Sequence, residues 1–184
     1  MDATSILMEE HRIIEHVLAA MEIQAARLQG ESAVRTEFFL DAVDFFRNFV
    51  DGCHHRKEEE ALFVALIDAG LTKDNSPIGI LIAEHEQGRE YNRKIEKAAR
   101  IVIGGGSEAR AELAQTTEEY VSLLYQHIQK EDGELFPKAD ELIPAEVQDE
   151  LAAEFKRIEK EEIETGVHEK YHKLAETLAD EASG

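Results

Sequence analysis

Residues 54–63 read HHRKEEEALF and residues 127–136 read HIQKEDGELF. Both contain His-x-x-Lys-Glu-x-x-x-Leu-Phe, so the repeated pattern falls on polar positions. Upstream of each copy stands a Glu-His pair, Glu10-His11 and Glu84-His85. The offsets agree: 43 residues separate His11 from His54, and 42 separate His85 from His127. The chain therefore reads as two copies of one helical hairpin. Each copy has a histidine on its first helix and His-x-x-x-Glu on its second.

Glycine and proline punctuate the rest. A first helix is expected over 5–29, with the apolar stripe Leu7, Ile14, Leu18, Met21, Ala25 and Leu28 and a stop at Gly30. A second spans 34–69, with Phe39, Val43, Phe46, Val50, Leu62 and Leu66 inward. Ser76-Pro77 opens a third as N-cap and first-turn proline, and Gly104-Gly105-Gly106 ends it. Ser107 is expected to cap a fourth, which closes near Pro137. Pro144 opens a fifth, interrupted at Gly166 before a last helical stretch through Leu178. Short loops make neighbouring helices antiparallel. The expected fold is all-α: an antiparallel up-down four-helix bundle over 1–142, with an additional C-terminal helical extension, 143–184, packed on it.

Residues i and i+4 share a helix face, so His54 and Glu58 point the same way, as do His127 and Glu131. Each histidine also continues its helix's apolar stripe, as in 7-11-14-18 and 50-54-58-62. Counted from the glycine breaks, the two histidines of each hairpin come level to within about one turn, roughly 5 Å. Four imidazoles and two carboxylates would then meet in one layer of the interior. A lone buried histidine is satisfied by a hydrogen bond, but this set would leave several polar groups uncompensated in a small core. A bound cation removes that difficulty. Mixed nitrogen and oxygen donors suit iron, manganese, zinc or copper, and two potentially bridging carboxylates suggest two metals.

On these residues the sequence resembles the hemerythrin HHE cation-binding family. The carriers are EEH at 9–11, HHRKEEEALF at 54–63, EHEQGR at 84–89 and HIQKEDGELFP at 127–137, over about residues 5–140. The resemblance implies two Fe ions, oxo- and carboxylate-bridged, with manganese or zinc as alternatives. His11, His54, His85 and His127 would be terminal ligands, and Glu58 and Glu131 would bridge. Oxygen-carrying members have a further histidine one turn after the third-helix ligand; here that position is Arg89, which cannot ligate. The set looks closer to the four-His, two-Glu centres of the iron–sulfur-cluster repair di-iron proteins. The function so implied is binding or reducing dioxygen, nitric oxide or peroxide, in an oxidative or nitrosative stress response. The alternative is a non-catalytic module that binds, stores or senses iron or oxygen. No flavin or nucleotide motif is present, so reduction would draw on an external electron-donor protein.

Other residues have weaker claims. His168 could supply the histidine missing at Arg89, or form a surface pair with His172. His16 and His55 are rotated away from His11 and His54 on an ideal α-helix, which makes them outward-facing or peripheral. Glu59 would ligate only if its helix were turned. Lys57 and Lys130, at matching repeat positions, read as hydrogen-bonding near the site or, more often for such residues, as solvated partners of nearby glutamates. Tyr120 and Tyr125 read as core ahead of proton donors or ligands, and Cys53 as a small buried residue. Forty acidic against 20 basic residues, a formal charge of −20, argue against nucleic acid or an anionic membrane as partner. One cysteine, no signal-like N-terminus and no long apolar run make the expectation cytoplasmic.

Overall fold

The computed structural model describes residues 2–30, 33–74, 76–163 and 167–184, leaving aside the side chains of 162, 163, 167 and 168. Helix α1 is Ala3–Gln29, opened by the Asp2 side chain, which accepts from the Ser5 N–H at 3.2 Å. The second rod, α2, is continuous over 37–68 but not uniform. It is α-helical at Glu37–Phe45, π-helical at Phe46–His54, α-helical at His55–Lys57, π-helical again at Glu58–Leu62 and α-helical at Phe63–Asp68. Helix α3 is Pro77–Ile103, with the Ser76 hydroxyl accepting from the Ile78 N–H. The fourth, α4, runs over 109–142: α-helix Ala109–Lys130, π-helix Glu131–Leu135, α-helix Phe136–Leu142. Helices α5, Ala145–Ile163, and α6, Val167–Ser183, complete the chain. Among the described residues there is no strand.

Two boundaries differ from expectation. Ser107 does not cap α4, because Gly105 takes a left-handed φ of 95° and the Ser107 N–H closes a turn onto the Gly105 carbonyl first. Nor does Pro137 end the helix. It sits in the first turn after a π segment, where a missing N–H is least costly.

The architecture is an all-α bundle. Helix α1 packs along α4, α4 along α3, and α3 along α2. Helices α1 and α2 meet directly over little of their length, because α6 lies against both and α5 crosses both nearer their other ends. Apolar side chains are buried in two separate clusters. One holds Ile14, Leu18, Phe45, Phe46, Val50, Ile95, Leu124, Tyr171 and Leu178 among others; the second holds Leu7, Leu62, Phe63, Leu81, Leu135, Phe136 and Phe155. Along α1, α2 and α3 the gap between clusters spans the histidine, and along α4 it opens just after His127, between Ile128 and Leu135. No described helix is long and apolar enough to cross a membrane.

Phe45 ties α2 to α6. It is fully buried, stacks on Phe49 at 5.1 Å and meets Tyr171 edge-on at 6.4 Å. Phe45→Ala should therefore lower the unfolding free energy by about 3–5 kcal/mol, read as a reduced urea midpoint at unchanged slope. A loss well under 1 kcal/mol would mean that α6 is not seated there.

Candidate metal centre

Between the two apolar clusters lies a polar layer. His11 comes from α1, His54 and Glu58 from α2, His85 from α3, and His127 and Glu131 from α4, all buried. The six residues picked out by spacing are thus brought together at one depth. The rings are close: centroids of His11 and His54 are 4.7 Å apart, and those of His85 and His127 4.8 Å.

Every ring in the layer is oriented from outside. The Nδ1 of His11 meets Asp132 Oδ1 at 2.7 Å, that of His54 meets Glu10 Oε2 at 2.9 Å, that of His85 meets Glu59 Oε1 at 2.7 Å, and that of His127 meets Glu84 Oε2 at 3.0 Å. A carboxylate can only accept here, so Nδ1 carries a proton and Nε2 points inward, a lone pair whenever the ring is neutral. The two sequence copies build this the same way. Glu10 and Glu84, each just before a histidine, are rotated about 100° from it and cross to the histidine of the neighbouring helix. Glu59 and Asp132, each just after an inward glutamate, serve the first-helix histidine of the other copy, Glu59 holding His85 of α3 and Asp132 holding His11 of α1. Glu59 is thus an orienting acceptor rather than a central donor.

The inward atoms fit a cation. Glu58 lies between two histidines, Oε1 3.4 Å from His54 Nε2 and Oε2 3.4 Å from His85 Nε2. Glu131 Oε2 is 3.3 Å from both His11 Nε2 and His127 Nε2. Both glutamates' oxygens and His11 Nε2 are buried without a hydrogen-bond partner among the described residues. His85 Nε2 and His127 Nε2 face each other at 3.1 Å, a contact that needs a proton on one ring or a cation between them. Spacings of this size match the separation of ligands about 2.0–2.2 Å from a common metal. Two groups of donors could hold an ion, His11, His54, Glu58 and Glu131 in one and His55, Glu58, His85 and His127 in the other; within each, the atoms lie within 4.8 Å of one another.

His55 corrects the sequence reading. An ideal α-helix turns it about 100° from His54 and out of the layer, yet it is 3% exposed and stacks on His85 at 3.8 Å. The cause is the π-helical turn, in which the His55 N–H reaches back five residues to the Val50 carbonyl. The wider turn lets two consecutive residues face inward. The i, i+4 pair Asp51-His55 was the available signal: Asp51 Oδ1 holds His55 Nδ1 at 2.9 Å, in the same manner as the other four. Both glutamates likewise begin π segments, with Phe63 bonded back to Glu58 and Phe136 to Glu131. The position of the absent third-helix histidine is filled by Arg89, which bonds Glu59 at 2.9 Å and approaches Asp51 at 3.4 Å. His168 lies outside the residues whose side chains are described. His172 packs edge-on against Phe49 at 5.7 Å, and His16 is exposed on α1. Tyr120 and Cys53 are buried, Tyr120 against Phe46 in the larger cluster. Lys57 is fully buried rather than solvated and bonds Glu10, the acceptor of His54, so of its two expected roles it takes the one beside the site.

A family model described as the hemerythrin HHE cation-binding domain matches residues 2–139. Curated relatives include proteins of Mycobacterium bovis and of two Mycobacterium tuberculosis strains, titled only as uncharacterised. Each is 25% identical to this chain over 139 residues, which is 76% of the chain and 54% of the relative. The chain spans about half the length of these relatives. No solved structure matches it.

Charge sharpens the case for a cation. Among the described residues, two inward glutamates and five outer carboxylates face four cationic side chains, Arg12, Lys57, Arg89 and Lys130. Without metal, protons partly take its place. Burial alone would keep His54 neutral, but Glu58 and Glu10 outweigh it and hold the ring at about 10. For His85, burial is again outweighed, by Glu58 and Glu59, at about 9. Burial and the neighbouring His85 keep His55 well below the ordinary imidazole range.

Raised imidazoles stabilise the metal-free fold fully below about pH 6.5, and that contribution fades as pH climbs through about 9 to 10. Metal must displace those protons, so its apparent affinity should rise with pH. Adding Zn(II) to metal-free protein at pH 7 in weak buffer should release protons, measurable with a pH indicator. Binding without proton release would contradict this account of the layer.

Proposed function

The chain belongs to the hemerythrin HHE cation-binding family, and on that premise we propose that its buried layer holds two iron ions and binds or reduces dioxygen, nitric oxide or peroxide. In this reading His11 and His54 hold one ion and His55, His85 and His127 the other, with Glu58 and Glu131 between them. The supporting observation is that each glutamate faces histidines of both groups, at 3.3–3.4 Å. Shared carboxylates are how two hard cations are kept close together. Iron bound here would supply the electrons and Lewis acidity.

The protein's own share is geometric and electrostatic. Five outward Nδ1–H bonds lock the rings with Nε2 inward, so no donor must reorient when a ligand arrives. Apolar clusters on both sides exclude bulk water from the layer. The histidine count is unequal. The two-histidine side has fewer protein donors and hence room for a small exogenous ligand, whereas His55 crowds the other. Multi-electron reduction would need a separate electron-donor protein, since the described side chains offer one buried cysteine and no disulfide as a redox reserve.

Two measurements test this. Protein grown in iron-replete medium should carry about two irons per chain, and His55→Leu should carry about one, since that ion would lose one of three histidines. Unchanged content in the variant would remove His55 from the centre. Anaerobic Fe(II) protein should then consume nitric oxide or peroxide repeatedly when a chemical reductant is supplied. Consumption that stops after one equivalent per centre would instead mark a storage or sensing module.

A further inference from the structure

Both copies of the repeat contain a lysine–glutamate–histidine chain, but among the described residues only one is completed by the C-terminal helices. In the second copy Lys130 bonds Glu84 and Glu84 holds His127; Lys130 is 37% exposed, so water moderates its charge. In the first copy Lys57 bonds Glu10 Oε1 at 2.5 Å and Glu10 holds His54, yet Lys57 is fully buried. Its ammonium has a second carboxylate partner, Glu159 of α5, at 2.7 Å, and lies 5.8 Å over the Phe155 ring of the same helix. Residues 155 and 159 lie beyond the part matched by the family model. A carboxylate that must balance an unshared, dry ammonium alone loses negative character and becomes a poorer acceptor. Glu159 relieves Glu10 of part of that demand.

We infer that Glu159 is a positioning residue: α5 sets the strength of the Glu10–His54 hydrogen bond through Lys57, and so makes the two halves of the centre unequal from outside the bundle. This rests on the metal reading only for its consequence, namely how strongly His54 donates to an ion. The coupling itself belongs to the protein alone.

The test is proton and nitrogen NMR of protein carrying ¹⁵N-labelled histidine, first metal-free and then loaded with Zn(II). Glu159→Gln should move the His54 Nδ1–H resonance upfield, as for a weakened hydrogen bond, while the His127 Nδ1–H resonance stays in place. Glu159→Asp should move it less. Glu161→Gln breaks another α5–α2 ion pair, to Arg56 at 2.8 Å, without touching Lys57, and should leave His54 unmoved. An unmoved His54 resonance in Glu159→Gln, or equal movement in Glu161→Gln, would overturn the inference. Failure of Zn(II) to bind would instead count against the metal reading, while the metal-free spectra still decide the coupling.

Discussion

Five imidazole Nδ1–H groups, each held by a carboxylate on the outer side of its ring, make the interior of this bundle possible. Those bonds settle the tautomer, and with it where the lone pairs point. With Nδ1 protonated, the Nε2 atoms of His11, His54, His85 and His127 face inward among the oxygens of Glu58 and Glu131, and in neutral rings these atoms would repel one another at 3.1–3.4 Å. Burying an unpaired charge costs several kcal/mol per ion, so such a layer is tolerable only around cations or trapped protons.

The layer has an approximate internal symmetry, and its exceptions carry meaning. Glu10 and Glu84, Lys57 and Lys130, Glu58 and Glu131, Glu59 and Asp132 play matching parts in the two hairpins. At the place of His55 the second hairpin has Ile128, which is packed into the larger apolar cluster. A long π segment precedes His54, while an ordinary α-helix leads up to His127. Inequality between the two donor groups thus traces to a local change in helical winding.

The C-terminal helices complete the packing that the four bundle helices leave open. Tyr171, Ala175, Leu178 and Ala182 of α6 join the larger apolar cluster, and Leu151 and Phe155 of α5 join the smaller. Burial of these side chains, each worth roughly 1.5–3 kcal/mol for a large one, shields the α1–α2 seam from water. Lys57 is left dry as a result, and its charge is felt where a solvated lysine's would be screened.

Much was legible before any coordinates. The repeat implied paired hairpins, helical rise implied a shared depth for His11, His54, His85 and His127, and the i+4 spacing implied that Glu58 and Glu131 join them; all six are in one layer. Those inferences need only the fixed geometry of an α-helix, which acts within a single segment. The partner of each carboxylate, the inward turn of His55 and the burial of Lys57 depended on tertiary structure. Glu10 serves His54 rather than adjacent His11 because helices pack side by side. His55 faces inward because π-helical turns break the 100° rule. Lys57 is dry because a helix a hundred residues further on covers it. Each of these is set by contacts between segments, which a pattern read along one segment does not contain.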